Sequence, residues 1–232
     1  MKKIGIIGAM DEEVRELTSE LENKKTRNIA GLNFNEGILH GKDVVVVECG
    51  IAKVNAAMCT QILISEFGVD AVINTGVAGA LYDELKINDI VISTDSVQYD
   101  VDASAAGEIV GTIPRMDTSV FKADERLIDI AYDAFLEEKT EFKAYKGRVV
   151  TGDQFVADKE KKEYLKREFG GYCCEMEGAA MAHVAHCNNI PFVIIRAISD
   201  NADSSADKSY EEFVEKAATT SKKMVDNILK RL

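Results

Sequence analysis

The chain has 232 residues, enough for one α/β domain whose core needs no disulfide staples. Its 46% hydrophobic and 29% charged content is that of a soluble globular protein. Forty acidic residues against 28 basic ones leave a formal charge of −12, which argues against a nucleic-acid partner, because neutralising phosphates takes clustered Lys and Arg.

The opening MKKIGIIGAM carries two lysines and a short apolar run, and DEEVRE follows at once. That run is too short for a secretion signal or a membrane span, and no long apolar stretch follows it. The five cysteines (Cys49, Cys59, Cys173, Cys174 and Cys187) are odd in number and show no C-x-x-C spacing. Reduced thiols, a cytoplasmic location and no membrane partner are therefore expected.

In chain order, residues 3–8 read as a buried strand, and 11–23 as a helix with Val14, Leu17 and Leu21 at helical spacing. A continuous β-branched run predicts a doubly buried strand at 44–49. A helix at 53–67, a strand at 71–75 and a strand at 88–98 follow. Residues 101–115 are small and irregular. Then come a helix at 124–138, a strand at 147–152, an Ala-rich helix at 175–187 and a strand at 191–199. A polar loop spans 201–209, and a helix 209–231 ends the chain. The alternation predicts a single domain over 1–232. Its core would be a central twisted, mostly parallel (mixed) sheet flanked by helices, with a tendency to curl toward a barrel. Such sheets bind ligands at the carboxyl ends of their strands.

Four strand ends carry unusual residues. After Gly8 come Met10, Asp11, Glu12 and Glu13. Carboxylates in a first helical turn suit the helix dipole, which accounts for Asp11 and Glu12. Gly5 and Gly8 lack dinucleotide-loop spacing, and three acids would repel a pyrophosphate. In Asn74-Thr75-Gly76-Val77-Ala78-Gly79, two glycines let backbone approach a ligand, or simply make a tight turn. In Glu175-Met176-Glu177, Glu175 suits a helix cap, and Glu177 could accept from sugar hydroxyls. Arg196 lies in an apolar strand and needs a carboxylate partner, for which Glu177 is a candidate. Asp200 sits just past that strand. His183 and His186 lack a third ligand and read as surface or packing residues, so no metal is expected.

Taken in order, IGIIGAMDEEV (4–14), GIAKVNAA (50–57), NTGVAGAL (74–81), GDQF (152–155), EMEGAAMAHV (175–184) and RAISDNAD (196–203) resemble the 5′-methylthioadenosine/S-adenosylhomocysteine nucleosidase family of the nucleoside phosphorylase superfamily. The resemblance spans essentially the whole chain. It implies hydrolysis of the N-glycosidic bond of an adenine nucleoside without metal or organic cofactor. Glu13 would be the base that activates water, and Asp200 the acid at purine N7, supported by Ser199. Met176 and Glu177 would contact the ribose. Phe155 would stack on adenine, and the Val156 backbone would read its edge. Met10, Ile51 and Tyr210 match the 5′-thio pocket, and Val77, Ala78, Gly79, Glu175 and Arg196 are expected among the substrate-binding residues. A homodimer through 101–115 is implied as well.

The chemistry is coherent with those roles. Protonated adenine leaves neutral, the ribose turns oxocarbenium-like between carboxylates, and a base takes a proton from water. A phosphorylase would instead hold a dianion with Arg, Ser/Thr and backbone donors. Two departures from the family pattern stand out. Val77 replaces a common Ser, and Ala106 and Glu108 stand where an apolar wall is usual, which bears on 5′ selectivity. The alternatives are a purine nucleoside phosphorylase, a nucleosidase for another adenine nucleoside such as aminodeoxyfutalosine, and a non-catalytic binding relative.

Overall fold

The computed structural model describes the whole chain except Lys139 and the side chain of Lys208. Its centre consists of segments too apolar to face water on either side: β1 (Lys3–Gly8), β4 (Lys42–Glu48), β5 (Ala71–Ala80) and β10 (Phe192–Asp200). Ile6, Ile7, Val45, Val46, Ile73, Val193 and Ile194 in these strands are fully buried. The four strands form the parallel middle of the sheet in the order β4-β1-β5-β10, with Ile6 beside Val46, Ile7 beside Asn74, and Arg196 beside Gly76. Helical cover on both faces is what such continuous apolar strands require.

The sheet then curls. β10 pairs antiparallel with β6 (Ile90–Gln98), which runs parallel to β8 (Ala144–Thr151), which runs parallel to β9 (Gly171–Glu175). β9 returns antiparallel to Gly79 and Ala80 of β5, so five strands close a ring. The short β7 (Phe121–Lys122) adds to β6. On the other side, β2 (Glu22–Ile29) and β3 (Leu32–Leu39) extend the sheet beyond β4 as an antiparallel hairpin. The helices are α1 (Asp11–Ser19), α2 (Lys53–Phe67), α3 (Glu125–Leu136), α4 (Lys159–Phe169), α5 (Gly178–Cys187) and α6 (Ala206–Arg231). α6 lies along β5 and β10 with α1 and α3 beside it, while α2 and α5 pack together. No helix among the described residues is long and apolar enough to cross a membrane.

Several predicted boundaries shift, each for a tertiary reason. The helix expected over 11–23 stops at Ser19, and the chain enters β2 at Glu22. Leu21 keeps its apolar role from outside the helix, packed against Gly37, where a Cβ would lie 3.1 Å from Leu21 Cβ and 2.8 Å from the Glu22 carbonyl. β2 itself (ENKKTRNI) is exposed along nearly its whole length, so it has no apolar face to announce it. Its lysines suit an edge strand that must not pair with strangers. The strand expected over 71–75 runs on to Ala80, straight through both glycines. The helix expected from residue 175 begins at Gly178, because Glu175 ends β9. Helix α6 begins at Ala206, shortening the expected 201–209 loop.

Candidate active site

The carboxyl ends of β1, β5, β9 and β10 surround a cavity of about 380 Å³. Among its lining residues are Met10 and Glu13 after β1, Ile51 after β4, and Val77, Ala78 and Gly79 on β5. Glu175, Met176 and Glu177 reach it from the end of β9, and Ser199 and Asp200 from β10. Phe155 and Val156 follow β8, and Tyr210 comes from α6. Arg196, expected among the substrate-binding residues, does not line the cavity; it is buried behind it. Ala9, Gln154 and Cys174 also line the cavity and were not singled out. Gln154 lay inside the GDQF motif, whereas Cys174 became visible only with strand β9.

The three acids of α1 divide sharply. Asp11 is exposed and pairs with Arg15 at 3.6 Å, one helical turn on. Glu12 is partly exposed. Glu13 is 4% exposed. As the third helical residue, its side chain turns back over the helix start. Its Oε2 accepts the N–H groups of Ala9 (2.6 Å) and Met10 (3.2 Å), and its Oε1 accepts that of Val77 (3.1 Å). Burial raises its pKa above the ordinary carboxylate value, opposed by nearby Arg196 and by these three donors.

Asp200 is equally enclosed, at 2% exposure. Ser199 Oγ donates to its Oδ2 at 2.9 Å, and Ala202 N–H donates to its Oδ1 at 2.8 Å. Here too burial raises the pKa. A carboxyl group that holds its proton more tightly than usual in an apolar cleft suits a proton donor.

The glycines of β5 explain how the two acids come so close to the strand. A Cβ on Gly76 would lie 2.6 Å from Glu13 Oε1, and one on Gly79 would lie 2.8 Å from Asp200 Oδ1. Any larger residue would displace the carboxylate. The segment is therefore not a tight turn. It is a strand kept bare on account of its neighbours.

Arg196 finds a different partner from the one expected. Its guanidinium pairs with Glu175, not Glu177, and also donates to Asn74 Oδ1 at 2.5 Å and the Ile195 carbonyl at 3.0 Å. Glu175 is the nearer fit because it is pinned where β9 meets α5. It accepts Gly178 N–H (2.7 Å), Glu177 N–H (3.2 Å) and the Thr151 hydroxyl. Glu177 is left to face the cavity, accepting Ala52 N–H at 2.8 Å. Burial beside Glu175 pushes its pKa up to about 8.

The apolar end of the cavity is built by Met10, Ile51, Phe155 and Tyr210. Tyr210 Oη donates to Met10 Sδ at 3.1 Å, and Phe155 meets the Tyr210 ring edge-on with centroids 5.5 Å apart. Phe155 remains 46% exposed at the mouth. His183 stacks on Phe121 at 4.8 Å, a packing role. Away from the cavity, Glu20, His40 and Asp226 bring ligand-type atoms together, but the Lys222 ammonium already lies 2.7 Å from both Glu20 and Asp226. A cation added there would have to displace it.

The phosphorylase superfamily model matches residues 3–230. The chain is 45% identical over 233 aligned positions to the 5′-methylthioadenosine/S-adenosylhomocysteine nucleosidase of Halalkalibacterium halodurans, with all of both chains covered. The nucleosidase of that name from Neisseria meningitidis, solved in complex with methylthio-immucillin-A, superimposes with a TM-score of 0.96 at 41% identity, again over the whole of both chains. The futalosine hydrolase of Helicobacter pylori superimposes with a TM-score of 0.94 at 38% identity, over 100% of this chain and 98% of that one.

The buried acids make stability depend on pH in a defined direction. A carboxyl whose folded pKa is raised binds a proton more tightly in the folded state, so stability falls as pH rises from the unfolded value to the folded one. For Glu177 that window runs from about 4.5 to about 8. Glu177→Gln keeps an oxygen to accept Ala52 N–H and removes the titration. Between pH 5 and 8 its melting temperature should fall less than that of the wild type, crossing above it near the upper end. Parallel melting curves in calorimetry would contradict this.

Proposed function

This chain belongs to the phosphorylase superfamily and, within it, to the 5′-methylthioadenosine/S-adenosylhomocysteine nucleosidases, and we propose that its two buried acids divide the work, Asp200 as proton donor and Glu13 as base. The chain is an N-glycosyl hydrolase that releases adenine from methylthioadenosine and adenosylhomocysteine. The observation that carries the division of labour is the pair Gly76 and Gly79. These bring two buried carboxyl groups against one strand, three residues or about 10 Å apart. Protonated Asp200 gives its proton to purine N7 as the glycosidic bond breaks, so adenine departs neutral. Ribose carries developing positive charge, which Glu177 at its hydroxyls and the ionised Glu13 stabilise. Glu13 takes the proton from the water that adds at C1′. Phe155 and the Val156 backbone hold the base, Met176 holds the sugar, and Met10, Ile51 and Tyr210 form an apolar place for the 5′ substituent.

Water is favoured over phosphate on electrostatic grounds. Among the described residues lining the cavity there is no Lys or Arg, and Arg196 is committed to Glu175 behind it. A phosphate dianion would meet Glu13 and Glu177 with no cation to offset them. Incubation with methylthioadenosine should give adenine and free 5-methylthioribose at the same rate with or without phosphate. Appearance of the 1-phosphate would make the chain a phosphorylase. The same chemistry on a futalosine-type nucleoside is the second reading, and relative kcat/KM for the two substrates separates them.

The acid and base assignments are separable by substitution. Glu13→Gln keeps its size and one of its two acceptor oxygens but cannot take a proton, and should lower kcat by roughly 10²-fold or more while an oxocarbenium-like inhibitor still binds. Asp200→Asn should lower kcat by roughly 10²–10⁴-fold with adenine as leaving group, and by much less with an intrinsically good leaving group. Asp11→Asn and Glu12→Gln should cost little beyond their dipole interaction. Full activity in Glu13→Gln would place the base elsewhere.

The 101–115 segment leads to the partner assignment, a second copy of this chain. Ile109 is 81% exposed there, Val54 on α2 is 77% exposed, and Ile51 at the cavity mouth is 50% exposed. A twofold contact would cover these apolar groups and wall the 5′ end, with Ala106 and Glu108 at its edge leaving room for larger substituents. Sedimentation at micromolar concentration should report a dimer; a fully active monomer contradicts the assignment.

A further inference from the structure

The middle of α6 touches the site from behind, through one buried hydroxyl. Ser221 is fully buried. Its Oγ lies 2.6 Å from Thr75 Oγ1 and accepts the Gly76 N–H at 3.1 Å. The ladder between β1 and β5 ends at Ile7 and Asn74, while β10 continues alongside β5 through Ala78. Gly76 N–H goes to Ser221, and the next one, Val77 N–H, goes to Glu13 Oε1 at 3.1 Å. Ser221 thus holds the peptide directly before the one that holds the carboxylate. There is no slack between them: the side-chain direction of Gly76 already points within 2.6 Å of Glu13 Oε1. A backbone shift of a few tenths of an ångström at Gly76 would move the carboxylate or lose its donor.

We propose that Ser221 is a positioning residue for Glu13, acting through the Thr75–Val77 backbone; the proposal rests on the reading of Glu13 as the base. A hydroxyl that merely fills the core would give stability and leave the chemistry alone. One that positions the base gives a different signature. Ser221→Ala should lower kcat about tenfold, the rate equivalent of one neutral hydrogen bond, with KM changed less than about twofold. It should also move the acid limb of the kcat profile to higher pH, because a carboxylate that loses a donor binds its proton more tightly. The other groups around Glu13 stay in place: Arg196 from β10, Glu177 before α5, Tyr210 from α6, Cys49 after β4 and Glu12 beside it.

The deciding experiment is a double-mutant cycle with Glu13→Gln, read in kcat, with melting temperatures recorded alongside. If Ser221 acts through Glu13, Ser221→Ala costs about tenfold in the wild type and almost nothing in the Glu13→Gln background. Equal losses in both backgrounds overturn the proposal and leave Ser221 a structural residue. So does an unchanged kcat and pH profile in Ser221→Ala when Glu13→Gln is inactive. High turnover in Glu13→Gln itself overturns the base assignment first, and the positioning role with it, which distinguishes the two failures. Should the alanine variant not fold, Ser221→Cys, similar in volume and a much poorer acceptor, gives the same readouts.

Discussion

The structure turns on the closeness of β5 to two carboxyl groups. Glu13 and Asp200 come from elements at opposite ends of the chain, yet each is packed against a glycine of the same strand. That contact excludes water from both acids, and exclusion of water raises both pKa values. It also fixes their separation, because the positions along a strand are rigid. The closed ring of β5, β10, β6, β8 and β9 serves the same end. β10 brings Asp200 and β9 brings Glu175 to neighbouring points on β5, and neither strand is free to swing away. A loop bearing these residues would have to be ordered by substrate. Here the sheet has ordered them in advance, which is where preorganised catalysis gains over water.

Burying three carboxyl groups around one guanidinium is costly, and the structure shows how the cost is distributed. Arg196 is matched to Glu175, whose remaining lone pairs are taken by the start of α5 and by Thr151. This pair is nearly self-contained, so its charge is mostly spent. Glu177 and Glu13 then share what remains of the Arg196 field, and burial outweighs it at both. Both carboxyl groups therefore hold a proton more tightly than an ordinary carboxyl does. On the proposed mechanism, a developing oxocarbenium ion would supply the missing positive charge, so that the excess which destabilises the resting protein would stabilise the transition state.

The legible parts of the fold were those with a strong apolar pattern. β4 carries a continuous β-branched run, and β1 and β10 are short segments rich in Ile and Val. β2 and β9 escaped detection because their strand character is conferred by neighbours. β2 has no apolar face, and the five residues of β9 end in the acid that looked like a helix start. The glycines of β5 could be read as a close approach to a ligand or as a tight turn; the strand runs straight through them, and only the three-dimensional arrangement shows the space taken by Glu13 and Asp200. The identity of the Arg196 partner was undecidable for a similar reason. Glu175 and Glu177 are two residues apart, and only the point at which β9 gives way to α5 determines which faces inward. The roles of Glu13 and Asp200 came from the family resemblance, whereas their burial and hydrogen bonds are properties of the fold.

The superfamily scaffold supports phosphorolysis as well as hydrolysis, so the outcome depends on the electrostatics of one strand end. After β1, a helix N-terminus presents N–H groups and a partial positive charge, which is a natural seat for an anion. In this chain that seat is already occupied by its own side chain. Glu13 folds back and takes the Ala9 and Met10 amides, and Val77 supplies the third donor. An incoming phosphate would have to evict a carboxylate from its hydrogen bonds and then remain beside Glu177. Water faces neither obstacle and needs a base, which is what the carboxylate becomes. On the proposed reading, the helix start that would bind the nucleophile of a phosphorylase instead holds the base of a hydrolase, and the change of reaction requires no change of fold.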